Sequence, residues 1–293
     1  MTRTGMTLSL QTENPEALKA INRRNVTDEE IDNAIMWANK LNIPTTTELI
    51  FGLPYETKDS FIDILKRSIK RGFDSILSHN LFIMDGIELN RPDIRKKYGI
   101  NTKFRPLNSS YFTHDNEFIA EHEEVVVSNK TFDYDDYLEI RKLNFMFFSI
   151  FTLNFQKWFF QFIKFNKEIS LPDILSKFMN PDLKLDWPKE YLKFINDFTE
   201  AAKSELFDSR EQMIKHLKKL YRENNNSVAE PSRINVAFVA RLIYQENHWI
   251  KEVLLKHYKI IMGEKMMEEE FNTVSSLVDL GILERIDLTG KKA

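Results

Sequence analysis

The stretch Thr45-Thr-Thr-Glu-Leu-Ile-Phe-Gly-Leu-Pro-Tyr-Glu-Thr57 decides how this chain is read. Its first seven residues are rich in β-branched and apolar side chains, which predicts a strand over residues 45–51. Gly52-Leu-Pro54 interrupts the run, and Thr57 is placed to cap a following helix. Phe61, Ile64, Leu65 and Ile69 keep helical spacing along one stripe, and Gly72 stops the helix. A strand that feeds a helix through a short turn is half of a βα unit.

The flanks repeat the pattern. Residues 6–12 alternate as a strand does, with Leu8 and Leu10 on one face and Thr7, Ser9 and Gln11 on the other. Asn14-Pro15 opens a short helix that runs to Ala20. Thr27-Asp-Glu-Glu30 is a capping-box pattern, and the helix it starts carries Ile31, Ala34, Ile35, Ala38 and Leu41 before Asn42-Ile-Pro44 ends it. Residues 74–84 read as a third strand. Strand–helix–strand–helix–strand at these lengths implies parallel pairing. The unit fits a segment of a doubly wound sheet or an arc of a βα barrel. In both, function sits at the C-terminal ends of the strands. That directs attention to Gln11, residues 50–56 and residues 80–88.

Beyond Arg105-Pro106 the pattern changes. Residues 118–127 pass from acidic to β-branched and read as a strand. Helices are expected over 134–167, 171–179, 189–224, 234–263 and 268–280, with Asn224-Asn-Asn-Ser227 and Pro231 as an internal linker. Residues 1–105 are accordingly expected to be a partial βα barrel, 106–135 a connecting strand and loop, and 136–293 an α-helical domain.

Composition narrows the functions available. The 293 residues carry a net charge of −3, which argues against a general nucleic-acid binder. There is no cysteine, hence no disulfide, no thiolate nucleophile and no thiolate ligand for an iron–sulfur cluster. The aromatic stretch 143–165 has an uncharged portion of about 14 residues, short of the ~20 that cross a bilayer. It is read as a buried helix. No h-region of secretory length opens the chain, so the cytoplasm is the default location. No Ser/His/Asp arrangement, Walker loop or dinucleotide fingerprint is present.

Three segments together, Leu8 to Arg23 (LSLQTENPEALKAINR), Glu48 to Thr57 (ELIFGLPYET) and Leu81 to Leu89 (LFIMDGIEL), resemble the later strands of a radical S-adenosylmethionine (SAM) core barrel. The resemblance is nearest to the subgroup with a cobalamin-binding domain, where segments like Lys97-Tyr-Gly-Ile100, Arg105-Pro106 and an acidic-then-Val-Val-Val-Ser strand follow the barrel. It extends over roughly residues 5 to 180 and makes these strands the fourth to sixth. It implies that SAM is contacted by Gln11 of the S-x-Q strand, Arg23 of K-A-I-x-R and Glu48 at the head of [DE]-L-I-x-G-L-P. Chemistry suits each type: a guanidinium grips the carboxylate of SAM, and an acid and an amide complement its ammonium and ribose hydroxyls. Ile50 would meet adenine, Gly52 would let the backbone turn close to the ligand, and Phe82 or Ile83 would flank adenine from the third strand. Each also fits a plainer role: Gln11 an interior hydrogen bond, Arg23 a surface ion pair, Gly52-Leu-Pro54 a simple turn.

The resemblance further implies a [4Fe–4S] cluster and cobalamin, whose ligands this chain lacks. A missing N-terminal half carrying both is therefore expected as partner, with a small-molecule substrate and no membrane span. The chain reads as a C-terminal fragment serving radical methyl transfer or rearrangement, with a cluster-free binding or scaffold module as the alternative. No catalytic residue is assigned. His114, Asp115, Glu117, Glu121, His122 and Glu123 match no metal-ligand spacing, and Lys215, Lys218, Lys219 and Arg222 read as a solvated face. His79 fits a core role or a substrate contact.

Overall fold

The computed structural model describes residues 5–115, 117–166, 169–225, 234–245 and 247–287. Three parallel strands, β1 (Met6–Gln11), β2 (Thr45–Phe51) and β3 (Ser75–Asn80), form a sheet in the order β1-β2-β3. Helices α1 (Pro15–Ala20), α2 (Asp28–Lys40) and α3 (Lys58–Arg71) connect them. Register runs Glu48 beside Leu77 and Ile50 beside His79. Parallel pairing, the three connecting helices and the bounds of β2 stand as read from sequence.

The caps explain these boundaries. Thr27 and Glu30 close a reciprocal capping box on α2, and Thr57 and Ser60 do so on α3. Such a cap stabilises a helix start by about 1 kcal/mol. Gly72 ends α3 with φ 94°, a left-handed conformation that favours glycine. Asp74 then accepts from both the amide and the hydroxyl of Thr45, at 2.8 and 3.0 Å, tying the start of β2 to the start of β3.

Side chains alternate along β2. Thr45, Thr47, Leu49 and Phe51 are buried, while Thr46, Glu48 and Ile50 are half-buried. Phe51 stacks its edge on Phe61 of α3 at 5.2 Å, with Phe132 behind it at 4.7 Å. One sheet face therefore packs on helices, and the other, bearing Glu48, Ile50, Leu77 and His79, is only partly covered.

The third strand is shorter than expected. β3 ends at Asn80, and Phe82–Ile83 form a strand, β4, in a second, antiparallel sheet of order β4-β6-β5. Leu81 is the transfer point: its N–H donates to Phe51 O at 2.7 Å, and its carbonyl accepts from Val126 N at 2.9 Å. An unbroken apolar run conceals such a change of sheet. A 3₁₀ turn and helix α4 (Pro92–Tyr98) follow, then β5 (Asn101–His114) and β6 (Glu117–Ser128), a long hairpin. β6 contains the expected 118–127 strand. β5 was not foreseen.

The remaining helices are more broken than their apolar periodicity implies. The expected 134–167 helix is α5 (Tyr134–Phe147), a π-helical segment Phe148–Thr152, and α6 (Lys157–Phe165), divided where Asn154 and Gln156 take positive φ. α7 (Leu171–Met179) is as expected. The 189–224 helix divides into α8 (Lys189–Ser204) and α9 (Arg210–Glu223). The 234–263 helix is α10 (Ile234–Ala240), a second π-helical segment Arg241–Gln245, a 3₁₀ turn, and α11 (Ile250–Met262); α12 (Glu268–Asp287) ends the description. Most of the expected linker, residues 226–231, lies outside the described residues.

One hydrophobic core runs from Leu10 through Phe145, Phe194 and Tyr258 to Val278. A smaller one, around Tyr111, Ala120, Met213 and Leu217, joins the outer hairpin to α9. α5 and the first π-helical segment pack along β3. No helix among the described residues is long and apolar enough to cross a membrane.

Candidate functional site

The C-terminal end of β1 is bent out of strand geometry. Gln11 has φ 59°, and Thr12 N donates to Leu10 O at 2.7 Å, so residues 10–12 make a tight γ-turn. A non-glycine residue held there costs on the order of 1–3 kcal/mol, an expense concentrated at binding sites. The Gln11 amide makes no hydrogen bond among the described residues.

Ser9 links two other predicted residues. Its hydroxyl donates to Glu48 Oε2 at 2.5 Å, and its carbonyl accepts from the Arg23 guanidinium. Arg23 also donates to Asn25 Oδ1 at 3.2 Å. The Asn25 amide in turn satisfies the carbonyls of Leu10 and Thr12, at 3.0 and 2.7 Å. Among the described residues β1 pairs with β2 alone, and Arg23 and Asn25 supply side-chain donors to backbone carbonyls on its other side. Arg23 lines an open groove of about 510 Å³ with Glu13, Lys19 and Arg24.

Ile50 follows Glu48 on the partly covered face, as expected of alternate residues. Gly52 does something different from its neighbours. Its φ is +108°, and a Cβ there would lie 3.2 Å from Leu81 Cβ and 3.7 Å from the Phe132 ring. Protein atoms fill the space that a side chain would need. Phe82 is the displaced member of the set. It belongs to β4, 39% exposed, beside Asn80 at a cavity along β3 rather than on the third parallel strand. The structure thus joins Arg23 and Glu48 through Ser9, puts Gln11 two residues further along β1 and Ile50 on the Glu48 face, and sets Gly52 and Phe82 apart.

The loop after β2 hides a residue that the sequence reading did not single out. Glu56 is 1% exposed and accepts from the Thr12 and Ser60 hydroxyls. Burial raises its pKa, and those two hydroxyls oppose the rise. The loop is held from three sides. Asn14 Nδ2 donates to Tyr55 O at 2.9 Å, Thr131 Oγ1 to Glu56 O at 2.8 Å, and Asn129 Nδ2 to the carbonyls of Gly52 and Leu53 at 3.3 Å. The only sequence signal for this was position, since residues 50–56 follow a strand's C-terminal end.

Two cofactor questions have answers in the donor set. Glu48 and Arg23, joined through Ser9, and the Gln11 amide two residues further along β1 offer a carboxylate, a guanidinium and an amide, the group types that suit a zwitterionic nucleoside such as SAM. An iron–sulfur cluster does not fit: there is no cysteine, and no group of three or more His, Asp or Glu among the described residues is placed to hold a metal. His114 and Asp115, 3.5 Å apart, are exposed near the hairpin tip.

Residues 3–68, from β1 into α3, match the model of the radical SAM superfamily. This part of the chain is therefore similar to radical SAM proteins. Over 99 residues the chain is 34% identical to the cobalamin-dependent radical SAM methyltransferase TokK of Streptomyces tokunonensis. Over 99 residues it is 33% identical to 2-(S-pantetheinyl)-carbapenam-3-carboxylate methyltransferase of Streptantibioticus cattleyicolor. Each alignment takes in 33% of this chain, and the chain spans only 14% of either relative's length. Homology to cobalamin-dependent radical SAM methyltransferases is therefore established over a partial region.

Proposed function

We propose that this chain is the C-terminal portion of a cobalamin-dependent radical SAM enzyme, contributing part of the SAM site for radical methyl transfer or rearrangement. The observation that carries the reading is Ser9 joining the Glu48 carboxylate to the Arg23 guanidinium midway along β1 and β2. In this reading the parallel sheet is the fourth to sixth strands of a βα barrel, and its partly covered face is the barrel's inner wall. Residues 1–105 supply that arc, 106–135 connect, and 136–293 form the helical domain that shapes the substrate end. The cytoplasm is the expected setting.

Glu48 would take the ammonium or ribose hydroxyls of SAM, Arg23 its carboxylate, Gln11 a further polar edge, and Ile50 the adenine face. Gly52 would act at one remove, keeping the β2 turn tight, and Phe82 would sit toward the substrate. When bound, SAM supplies the adenosyl group used in this family's radical chemistry. The thiolates that hold the cluster have no counterpart here, so no step is assigned to it, and cobalamin has no assigned ligand either. Both belong, in this reading, to a separate portion of the enzyme, consistent with relatives more than twice as long. The missing cysteines also favour a second reading, a cluster-free binding or scaffold module derived from the same sheet.

Equilibrium dialysis of the full chain against SAM, alone and with any polypeptide that co-purifies, tests this. Saturable binding that falls about tenfold in Glu48→Ala and in Arg23→Ala is expected, the scale of one charge-assisted hydrogen bond. Binding indifferent to both substitutions, or absent from chain and complex alike, overturns it. A monomer that binds SAM with no partner favours the module.

A further inference from the structure

We propose that the cavity along the outer edge of β3 is a binding site for a neutral ligand segment bearing amide or hydroxyl groups. It measures about 240 Å³ and lies where β3, α5, the first π-helical segment and the base of the hairpin meet. At the ~30 Å³ that a water occupies in the liquid, this is room for about eight non-hydrogen atoms.

The chemistry of the wall selects the ligand. Ser78 Oγ donates to Asn144 Oδ1 at 2.5 Å, and Asn144 Nδ2 reaches Asn80 Oδ1 at 3.3 Å. Asn235 Oδ1 accepts from Arg141 Nη1 at 2.8 Å. These bonds use the amide oxygens of Asn80 and Asn235 and leave both amide nitrogens without a partner among the described residues. Two unpaired amide donors on a cavity wall call for carbonyl or hydroxyl acceptors. The Tyr137 hydroxyl, fully buried beside Arg105, Arg141 and Glu205, also has no hydrogen-bond partner among the described residues.

Charge argues against an anion. Arg105 is held by Glu123 at 2.5 Å and faces Glu205 at 3.7 Å, while Arg141 is held by Glu205 at 3.1 Å. Two guanidiniums meet two carboxylates, so a ligand carboxylate would have to displace one already seated, with Glu123 itself on the wall. Leu77, Phe82 and Phe148 provide the apolar remainder. Phe148 and Thr152 come from opposite ends of the π-helical segment, a conformation that recurs at functional sites. Thr152 is exposed and marks the mouth.

The inference deepens the radical SAM reading and rests on it only in calling the ligand a substrate segment. N-acetylglycinamide, a neutral diamide of eight non-hydrogen atoms, is the probe, and N-acetylglycinate is its charged counterpart. Saturation-transfer NMR titration of the full chain is expected to show saturable diamide binding, about tenfold tighter than the carboxylate. Thr152→Trp, at an exposed position, is expected to block binding without disturbing the circular dichroism spectrum, and Asn144→Leu to weaken it about tenfold. Equal or tighter binding of the carboxylate, no saturable binding, or binding unchanged in Thr152→Trp overturns the proposal. Diamide binding that persists while SAM binds neither the chain nor its complex with a co-purifying polypeptide would refute the radical SAM reading and leave the cavity assignment standing.

Discussion

Acidification from pH 7 to pH 5 is expected to remove about 2 kcal/mol of folding stability through one histidine. His257 of α11 is 2% exposed, stacked against the Trp187 ring at 4.5 Å and packed beside Phe178. Burial, with Lys177 and Lys256 adding repulsion, pushes its pKa from 6.5 down to about 4. The Tyr191 hydroxyl donates to Phe178 O, so at 2.9 Å it accepts from His257 Nε2–H. The folded state thus holds a neutral imidazole. Below pH 6.5 the unfolded chain takes up a proton that the native chain refuses, so stability falls as pH falls toward 4. The full difference approaches about 3 kcal/mol once both states are protonated. Urea unfolding at pH 7, 6 and 5, followed by tryptophan fluorescence, measures the loss. His257→Gln keeps an N–H near Tyr191 and has no titration, so its stability should vary about 2 kcal/mol less over the same range. Wild type and variant losing stability in parallel would refute the reasoning, because carboxylates common to both would then account for the whole effect.

Glu56→Ala should cost about 1–3 kcal/mol in urea unfolding, since it removes the acceptor of the buried Thr12 hydroxyl, whereas the half-buried Ser60 hydroxyl keeps Thr57 O. Glu56→Gln keeps an acceptor and removes a desolvated charge, so it should be near neutral at pH 7. With the Glu56 pKa raised in the folded state, the wild type should lose stability relative to Glu56→Gln as pH rises from 4.5. Gly72→Ala, at φ 94° with open space around it, should cost about 1 kcal/mol in the same measurement. Gly52→Ala adds a 3.2 Å clash with Leu81 to its backbone strain and should cost about 2–4 kcal/mol. Glu205→Gln, which leaves buried Arg141 without its carboxylate, should lower stability by about 3 kcal/mol and leave SAM affinity unchanged.

Local chemistry was the legible part of this sequence. Thr27, Thr57 and Gly72 punctuate their helices with side chains or dihedrals that act within a few residues, so the boundaries of α2, β2 and α3 follow from composition alone. Arg23 and Glu48 were found by their place in a pattern, and the structure brings them to one serine. The failures arise where long-range geometry overrides the local signal. β5 contains Pro106, which withholds a ladder donor, and its register with β6 shifts there; only its partner makes it a strand. Residues 74–84 are apolar enough for one long strand, and nothing local announces that Leu81 changes sheets. Glu56 looks solvated in a Tyr-Glu-Thr turn, and its burial depends on Thr12, 44 positions away.

The backbone of a single residue, Leu81, bonds the two sheets to each other. Leu81 is bonded on one side to the last residue of β2 and on the other to Val126, near the C-terminal end of a hairpin strand, and its Cβ lies close to Gly52. Together with Asn129, which donates to the Gly52 and Leu53 carbonyls, it ties the end of the hairpin to the turn that follows Glu48 and Ile50.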